Sequence, residues 1–384
     1  MKNLSECRIL IVDDSEENLS ILVGGLKSDY RLSAVKSGEN ALKTAARNPP
    51  DLVLLDIIMP GMDGYEVCRR LRKMPETAEV PIMFLSSLED LQNKVIGFEA
   101  GANDYLTKPF EMLEVRARVH SLLKVKAYND AVKEHIAAEL KTAHEIQMGM
   151  LPHNFSELEK AFNLEISAVL LPAYEVGGDL YGVHASDRNR LTVFLGDVSG
   201  KGIPASLFMI RAISIARLLS RESNEPNQIL SKLNDELCAD NPYSMFVTFL
   251  CADYNPNTGI LTVANAGQCR PVLLRKGKPP VWAVSGLGTA LGLEPGLKFE
   301  QTKISVQSGD AMLFYTDGVS EALNSNDDVY GSEQIITDAD KFKNESASAI
   351  TAGLLQRVHS FAGKVPQSDD IAILTLRFKN TYDN

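Results

Sequence analysis

The chain contains 384 residues, more than a single hydrophobic core usually organises, so we expect two or three compact units. Its hydrophobic fraction of 45% and charged fraction of 23% are those of ordinary globular proteins and exclude a disordered or fibrous chain. The formal net charge of −11 argues against nucleic-acid binding, because that function needs a basic surface that displaces counterions from phosphates.

Five cysteines are scattered along the chain, and no two of them form a close pair. This spacing is typical of reduced thiols in a cytoplasmic protein rather than of disulfides or zinc ligands. The N-terminus is polar, and no apolar run approaches the roughly 20 residues that a membrane span requires. We therefore expect a cytoplasmic protein that binds neither membrane nor nucleic acid.

The first third of the chain alternates short apolar runs with helical patterns, which predicts an α/β doubly wound fold with a five-stranded parallel sheet. Buried parallel strands read as continuous Val, Ile and Leu, as residues 9–12 and 52–55 do. An aspartate follows each of these runs, at the strand ends that face the ligand crevice in such sheets.

A long helix is predicted from about Glu111 to Met150, a stretch without proline and without glycine before Gly149. Its apolar residues recur in steps of three and four, as in an amphipathic helix. Two interpretations stay open: the helix forms a coiled coil with a second copy of the chain, or it packs only on its own domains.

The pattern changes after about Asn163 to strands interrupted by helices, which predicts an α+β sandwich. The predicted helices cover residues 205–221, 226–239 and 347–362. The predicted strands cover residues 164–170, 190–195, 246–253, 260–264, 271–274, 310–315 and 371–377.

Five polar residues lie at predicted strand ends in the first domain, so we expect them to face one crevice. Two or three neighbouring carboxylates form a site for Mg²⁺, and a lysine supplies a fixed positive charge for a phosphoryl group. Each residue alone is more simply explained as a helix cap or a turn. These residues are Asp13, Asp14, Asp56, Ser86 and Lys108.

In these residues, and in the DIIMPGMDG loop that starts at Asp56, the sequence resembles a CheY-like receiver domain over about residues 8–123. The resemblance implies that Asp13 and Asp14 are the acidic pair that holds Mg²⁺ together with Asp56. It also implies that Asp56 is the phosphoacceptor, so a sensor histidine kinase is the expected partner. The further implied residues are the switch pair Ser86 and Tyr105, and Lys108 followed by a cis Pro109.

The second domain carries acidic residues in four separate turn or strand-end contexts, with no His or Cys at a useful spacing. Carboxylates without softer ligands suit Mg²⁺ or Mn²⁺. Two such ions about 3.5 to 4 Å apart can clamp a phosphate ester for in-line attack by water. A single glycine–aspartate turn is more often only a turn. The stretches are GGD at 177–179, GDVSGKG at 196–202, YTDGV at 315–319 and SDDI at 368–371.

These motifs, with ELKTAHEIQ at 139–147, LP at 151–152 and NAG at 265–267, resemble the SpoIIE/RsbU-type branch of the PPM metal-dependent phosphatases over about residues 139–378. The resemblance implies that Asp197 bridges two Mn²⁺ or Mg²⁺ ions beside the Val198 carbonyl. Asp179 would hold one ion, while Asp317 and Asp369 would hold the other.

The role of Asp370 is left open. The sequence departs from the family pattern at two positions: Gly182 stands where a second aspartate is common, and Gln268 where histidine is usual.

The predicted function is a two-component response regulator in which phosphorylation of Asp56 controls a serine/threonine phosphatase. The resemblance implies a substrate of the STAS type, a phosphorylated anti-sigma-factor antagonist, and the helix suggests a homodimer. The alternative is a phosphatase-like adaptor with weak turnover that binds an anti-sigma factor or another regulator. The expected domains are a receiver over residues 1–123, a helical linker over 124–152, a phosphatase domain over 153–380 and a tail over 381–384.

Overall fold

The computed structural model describes residues 4–87, 91–187, 189–222, 225–286 and 288–379, so the predicted tail lies outside the described residues. Contacts between residues divide the chain into two compact units, Met1–Ala138 and Glu139–Asn384.

The first unit is built on a five-stranded, wholly parallel sheet with the strand order β2-β1-β3-β4-β5. Strands β3 and β4 are buried along their whole length, and β1 is buried after Arg8, whereas β2 lies at an edge and is half exposed. Successive side chains of a strand point to opposite faces, so every buried strand supplies two cores. The strands are β1 (Arg8–Val12), β2 (Arg31–Val35), β3 (Leu52–Asp56), β4 (Ile82–Ser86) and β5 (Asp104–Thr107).

Helices cover both faces of this sheet. Leu52 and Leu54 face a core that includes the first and last helices of the unit, whereas Val53 and Leu55 face the second and third helices. Ser15 and Ser37 cap the first two helices by accepting a backbone N–H bond, and Asp63 caps the third. The helices are α1 (Glu16–Leu26), α2 (Gly38–Arg47), α3 (Gly64–Lys73), α4 (Leu91–Glu99) and α5 (Met112–Gly149).

Helix α5 is a single continuous helix of 38 residues, close to the predicted 111–150. In the first unit, Val115, Val119 and Leu123 are buried against the sheet. The division between the two units falls inside α5, after Ala138.

The second unit contains two five-stranded sheets, with strand orders β13-β10-β9-β8-β7 and β12-β11-β14-β15-β6. All pairings within them are antiparallel. The first sheet contains β7 (Leu180–Asp187), β8 (Arg190–Val198), β9 (Val247–Asn255), β10 (Ile260–Ala266) and β13 (Gln301–Ser305). The second contains β6 (Leu164–Leu171), β11 (Val272–Leu274), β12 (Val281–Trp282), β14 (Ala311–Tyr315) and β15 (Ile371–Phe378).

Helices flank the two sheets of this unit. One core joins residues of both sheets to α7 and α8, and another lies between the second sheet and α10 and α11. The predicted α/β receiver, long helix and α+β sandwich are therefore confirmed. The helices are α6 (Ser156–Phe162), α7 (Ile203–Glu222), α8 (Pro226–Cys238), α9 (Asp317–Ser320), α10 (Ser332–Phe342) and α11 (Ala347–Ala362).

Among the described residues, α7 is the one helix long and apolar enough to cross a membrane by length and composition. Half of its apolar window is buried within its own unit, where Phe208, Ala212 and Ala216 join the core. A core helix of a folded domain passes the same test, so α7 is weak evidence for a membrane span.

Candidate functional site

Three carboxylates of the first unit meet at the carboxyl ends of β1 and β3. One oxygen from each of Asp13, Asp14 and Asp56 can be chosen so that all three lie within 4.8 Å of one another. Asp13 and Asp56 are buried, whereas Asp14 is exposed. The Lys108 ammonium lies 2.7 Å from Asp13 Oδ2 and 2.7 Å from Asp56 Oδ2. The donor set is all oxygen and fits a hard divalent cation such as Mg²⁺.

Asp13 is held in place by neighbours on the following helix. Its Oδ1 accepts the backbone N–H of Ser15 at 2.9 Å, and the Asn18 amide donates to both of its oxygens at 3.1 Å. Asp56 Oδ1 accepts the N–H of Ile58 at 3.3 Å. The local chain therefore fixes the orientation of two of the three carboxylates.

The charge balance of this site is uneven. Burial raises the pKa of Asp56, and the hydrogen bond and charge of Lys108 offset this only in part, since Asp13 raises the pKa further. For Lys108, burial lowers the pKa, but the two carboxylates outweigh burial and the net shift is upward. A pair of buried carboxylates with one lysine leaves a negative excess that a cation would neutralise.

The remaining residues predicted for the receiver lie at the neighbouring strands. Ser86 is the last residue of β4 and is buried. Tyr105 lies in β5, with its side chain buried in the core beside α2 and α3. The Lys108–Pro109 peptide bond is cis.

The four carboxylates predicted to bind metal in the second unit come from both sheets. Asp179 immediately precedes β7, and Asp197 is the second-last residue of β8. Asp317 follows β14 and begins α9, whereas Asp369 precedes β15 by two residues. We call these four residues, together with the neighbouring Asp370, the metal-end carboxylates.

Three of the metal-end carboxylates, Asp179, Asp197 and Asp317, have a raised pKa to which neighbouring charges contribute. Burial raises the pKa of Asp197 to about 8, with further contributions from the charges of Asp317 and Asp369. Burial and the charge of Asp197 also raise the pKa of Asp179 well above its ordinary value. Burial, Glu321 and Asp369 raise the pKa of Asp317 to about 6. Repulsion among these like charges would be relieved by cations bound between them.

The surroundings of Asp179 fit a bound cation. The Thr316 hydroxyl donates to its Oδ2 at 2.7 Å, while its Oδ1 is buried and has no hydrogen-bond partner. A buried, unsatisfied carboxylate oxygen is unfavourable, and a divalent cation would satisfy it. A Cβ on Gly178 would lie 2.9 Å from the Val198 carbonyl oxygen, so glycine is what allows this close approach.

Asp370, whose role the sequence left open, binds backbone. Its Oδ1 accepts the N–H of Ala173 at 2.8 Å, and its Oδ2 accepts those of Gly178 at 2.6 Å and Asp179 at 3.3 Å. A Cβ on Gly177 would lie 2.2 Å from the same Oδ2. Asp370 therefore shapes the loop that presents Asp179.

The metal-end carboxylates are less tightly gathered than those of the receiver. Within the described residues, Asp13, Asp14 and Asp56 are the one group of three potential ligands whose atoms all lie within 4.8 Å. A centre that spreads its ligands over two ions about 3.5 to 4 Å apart is wider than a single-ion site. The ammonium of Lys201 also pairs with one of the group, since it lies 3.1 Å from Asp369 Oδ2.

The end of α5 contacts the Asp179 loop within the second unit. Gln147 is buried, its Nε2 donates to the Gly177 carbonyl at 2.7 Å, and its Oε1 accepts the Gly177 N–H at 3.2 Å. His144 Nδ1 lies 2.7 Å from the Glu175 carbonyl oxygen. The last turns of the helix are thus joined directly to the segment that carries a predicted metal ligand.

The two departures from the family pattern have different surroundings. A Cβ at Gly182 would meet Phe194 at 3.2 Å and Ile213 at 3.6 Å, so this position faces packed apolar side chains. Gln268 is buried, its Oε1 accepts the Cys269 N–H at 2.7 Å, and its Nε2 has no hydrogen-bond partner.

Four contacts at the two sites had no assigned role in the sequence analysis. Thr316, Gln147 and Lys201 lie inside the motifs that carried the resemblance. Their positions could therefore have indicated a functional role, but the sequence did not indicate which groups they contact. Asn18 had no such signal, because an asparagine in the first turns of a helix is common.

Comparison with known families agrees with this architecture. The model described as response regulator receiver domain matches residues 9–120, and that described as Stage II sporulation protein E (SpoIIE) matches residues 187–379. The SiaA-PP2C domain of Pseudomonas aeruginosa has a similar fold, with a TM-score of 0.58 at 19% identity over 65% of this chain and 99% of that one.

A second similar structure contains the RsbU and RsbW domains of Rv1364c from Mycobacterium tuberculosis, with a TM-score of 0.51 at 21% identity over 56% of this chain and 60% of that one. Among curated proteins, the chain is 44% identical over 130 residues to a probable cyclic di-GMP phosphodiesterase of Vibrio cholerae, and 41% identical over 132 residues to the response regulator PleD of Caulobacter vibrioides. Each alignment covers 34% of this chain, and the chain spans 30% and 29% of these relatives.

The fold and the family matches define a class: a receiver domain joined to a SpoIIE-family domain with a PP2C-like fold. The SpoIIE match covers just over half of the 384 residues, so the chain belongs to the SpoIIE family. The predicted combination of a CheY-like receiver with a SpoIIE/RsbU-type phosphatase domain is confirmed.

Proposed function

We propose that this chain is a response regulator whose phosphorylation at Asp56 controls hydrolysis of phosphoserine or phosphothreonine at the metal-end carboxylates. The observation that carries the proposal is the buried Asp179 Oδ1 without a hydrogen-bond partner, in a carboxyl whose pKa is raised by burial and by the charge of Asp197. Such a group is poorly arranged for a metal-free protein and well arranged for cations. The proposed domains are the receiver over residues 1–123, the linker over 124–152 and the phosphatase domain over 153–380.

At the receiver, a phosphoryl group passes from the histidine of a sensor kinase to Asp56. An Asp56 oxygen forms the new bond to phosphorus as the bond from phosphorus to the histidine nitrogen breaks. Asp13, Asp14 and Asp56 would hold Mg²⁺, which lowers the charge repulsion between the two reactants. The Lys108 ammonium, already 2.7 Å from Asp56, supplies further positive charge, and Ser86 a hydroxyl near the new phosphate.

At the phosphatase domain, we propose that Asp197 and the Val198 carbonyl would help to hold both of two Mn²⁺ or Mg²⁺ ions. Asp179 would hold one ion, while Asp317 and Asp369 would hold the other. When bound, the ions polarise the phosphate ester and acidify a water for in-line attack. Thr316 orients Asp179 through its hydroxyl, and Asp370 holds the loop in front of it.

Coupling between the two sites is proposed to run through α5. Phosphorylation can change the phosphatase only if it favours one of two arrangements of the helix. Gln147 supports this route, because its side-chain amide bonds to Gly177, two residues before Asp179. A rotation or shift of the helix end would therefore move a proposed metal ligand.

The proposed substrate is a phosphorylated STAS-type anti-sigma-factor antagonist, and the proposed setting is the cytoplasm. This rests on the SpoIIE family membership and on the resemblance to RsbU-type domains. A second candidate function is an adaptor with weak turnover that binds an anti-sigma factor. The departures at Gly182 and Gln268 favour it, whereas retention of all four proposed metal ligands argues against it.

One experiment tests both the phosphatase activity and its regulation by phosphorylation of Asp56. We expect Mn²⁺-dependent cleavage of an aryl phosphate by the full chain, loss of that cleavage in Asp197→Ala, and a change in rate when a small phosphoryl donor is added to wild type. Asp56→Ala should cleave the aryl phosphate without responding to the donor. Absence of cleavage by the wild-type chain with Mn²⁺ would favour the adaptor, and a donor response equal in both proteins would refute control through Asp56.

A further inference from the structure

Lys201 is a charged residue of the metal end that the proposed mechanism does not use. It lies between β8 and α7, four residues after Asp197. Its ammonium pairs with Asp369 at 3.1 Å, donates to the Ser368 carbonyl and lies 5.9 Å from the centroid of the Tyr174 ring. In the described part of the chain, Lys201 is the one basic residue that forms an ion pair with a metal-end carboxylate.

Hydrolysis of a phosphate ester is favoured by a cationic side chain that binds the phosphoryl group. A phosphate monoester is an anion, and it must enter a site lined with carboxylates. Enzymes that transfer phosphoryl groups usually place a lysine or arginine on the phosphoryl oxygens in addition to their metal ions. The compact ammonium of lysine serves this purpose as a point charge.

We propose that Lys201 binds the phosphoryl group of the substrate, exchanging the Asp369 carboxylate for phosphate oxygens. The inference rests on the proposed phosphatase function and adds the residue that recognises the phosphate. A cation bound to Asp369 would neutralise the charge that holds the ammonium, so Lys201 is released when the site is ready for substrate. Metal loading and substrate recognition are thereby linked through one carboxylate.

The loop around Lys201 permits this exchange. Gly200 and Gly202 have positive φ values of 86° and 71°, and a Cβ at either position would meet no atom within 4 Å. The Lys201 side chain is 41% exposed, so its four-carbon stem is free to swing. Helix α7 begins two residues later, and the partial positive charge of its N-terminus adds to the local attraction for anions.

The test measures binding of orthophosphate to the Mn²⁺-loaded full chain by isothermal titration calorimetry. We expect Lys201→Met to weaken orthophosphate binding by between about tenfold and about a hundredfold, the range for loss of a charged hydrogen bond. Lys201→Arg should keep most of the affinity because the charge remains. The matched control is Lys276→Met, at an exposed lysine of the β11–β12 turn.

Two further measurements separate recognition from a structural role. For aryl phosphate cleavage, we expect Lys201→Met to raise KM and the inhibition constant of orthophosphate by similar factors, with Mn²⁺ affinity unchanged or higher. Thermal unfolding identifies a variant that has not folded, and Lys201→Gln then replaces Lys201→Met.

The outcomes distinguish this inference from the proposed function. If Lys201→Met keeps wild-type orthophosphate affinity and only binds Mn²⁺ more tightly, Lys201 merely balances the charge of Asp369 and the inference is wrong, even if the wild type is an active phosphatase. If wild type binds orthophosphate through Lys201 but cleaves no ester, the inference stands and the proposed function fails. A Mn²⁺-loaded wild type that binds no orthophosphate would overturn the inference as well.

Discussion

The last three backbone N–H groups of the loop that presents Asp179 are bound by side chains from elsewhere in the second unit. Gln147 accepts the N–H of Gly177, and Asp370 accepts those of Gly178 and Asp179. Because this loop carries two glycines, which have large conformational freedom, it needs such anchors to hold a carboxylate in one place. The position of Asp179 is therefore set by residues distant in sequence.

The raised pKa of Asp197 predicts a pH dependence of stability in the metal-free chain. A carboxyl whose pKa is about 8 when folded and about 4 when unfolded contributes stability that is present at low pH and is lost as the pH rises through the folded value. We expect the unfolding temperature of chelator-treated protein to fall between about pH 4 and about pH 8, and Mn²⁺ to reverse most of this loss.

Asp197→Asn provides the control for this prediction, because the amide has nearly the same shape and no charge. In the metal-free state, the variant should lose less stability than wild type over the same pH range, and Mn²⁺ should stabilise it less. Equal pH slopes for the two proteins in differential scanning calorimetry would show that the Asp197 carboxyl is not held protonated in the fold.

At the scale of elements, Gln147 makes α5 part of the metal end. Replacing it by alanine leaves the buried Gly177 peptide groups without partners, which costs about 1–3 kcal/mol for each unsatisfied group. We expect Gln147→Ala to lower the stability of the chain and its affinity for Mn²⁺, measured by chemical denaturation and by calorimetric titration.

A matched control lies on α11, where Gln356 is exposed. Gln356→Ala should change the free energy of unfolding by no more than about 0.5 kcal/mol, as is usual for surface positions. If Gln147→Ala bound Mn²⁺ as tightly as Gln356→Ala, the helix end would have no influence on the metal site.

Elements with a strong local pattern were predictable from the sequence. Residues 347–362 were predicted as a helix and form one with the same bounds, and the long helix differs from its predicted ends by one residue at each side. Strand β2 was not identified, because Arg31 and Ser33 interrupt its apolar run at the sheet edge. The short β12 was missed for a similar reason, since tertiary contacts rather than local pattern define it. Helix α10 was missed although Ile335, Ala339 and Phe342 recur at helical spacing.

The candidate sites were predictable only in part. Strand ends and the family motifs pointed to the carboxylates, whereas hydrogen bonds between residues far apart in sequence did not follow from any local pattern. The bond from Thr316 to Asp179 spans 137 positions, and that from Asp370 to Gly178 spans 192. Such partners depend on how the two sheets pack, which spacing along the chain does not specify.

At the scale of the whole molecule, α5 carries apolar side chains that remain exposed to solvent. Within the first unit, four bulky apolar residues repeat on this helix at steps of three and four. They are Val125, Tyr128, Val132 and Ile136, with exposed fractions of 56%, 64%, 38% and 50%. Apolar residues at this spacing form the seam of a coiled coil when two copies pair.

We therefore expect the full chain to form a homodimer through α5, and Val132→Glu to weaken it. Each dimer would bury two such glutamates, and the lost apolar burial alone predicts a dissociation constant raised by more than about a hundredfold. Sedimentation velocity over a range of concentrations measures this change. Ala137→Glu introduces the same charge at an exposed position off the apolar stripe and should leave the dimer intact. A wild-type chain that stays monomeric would mean that α5 packs without a partner copy, and that phosphorylation of Asp56 acts within a single chain. Equal weakening by both substitutions would mean that the apolar stripe is not the seam of the dimer.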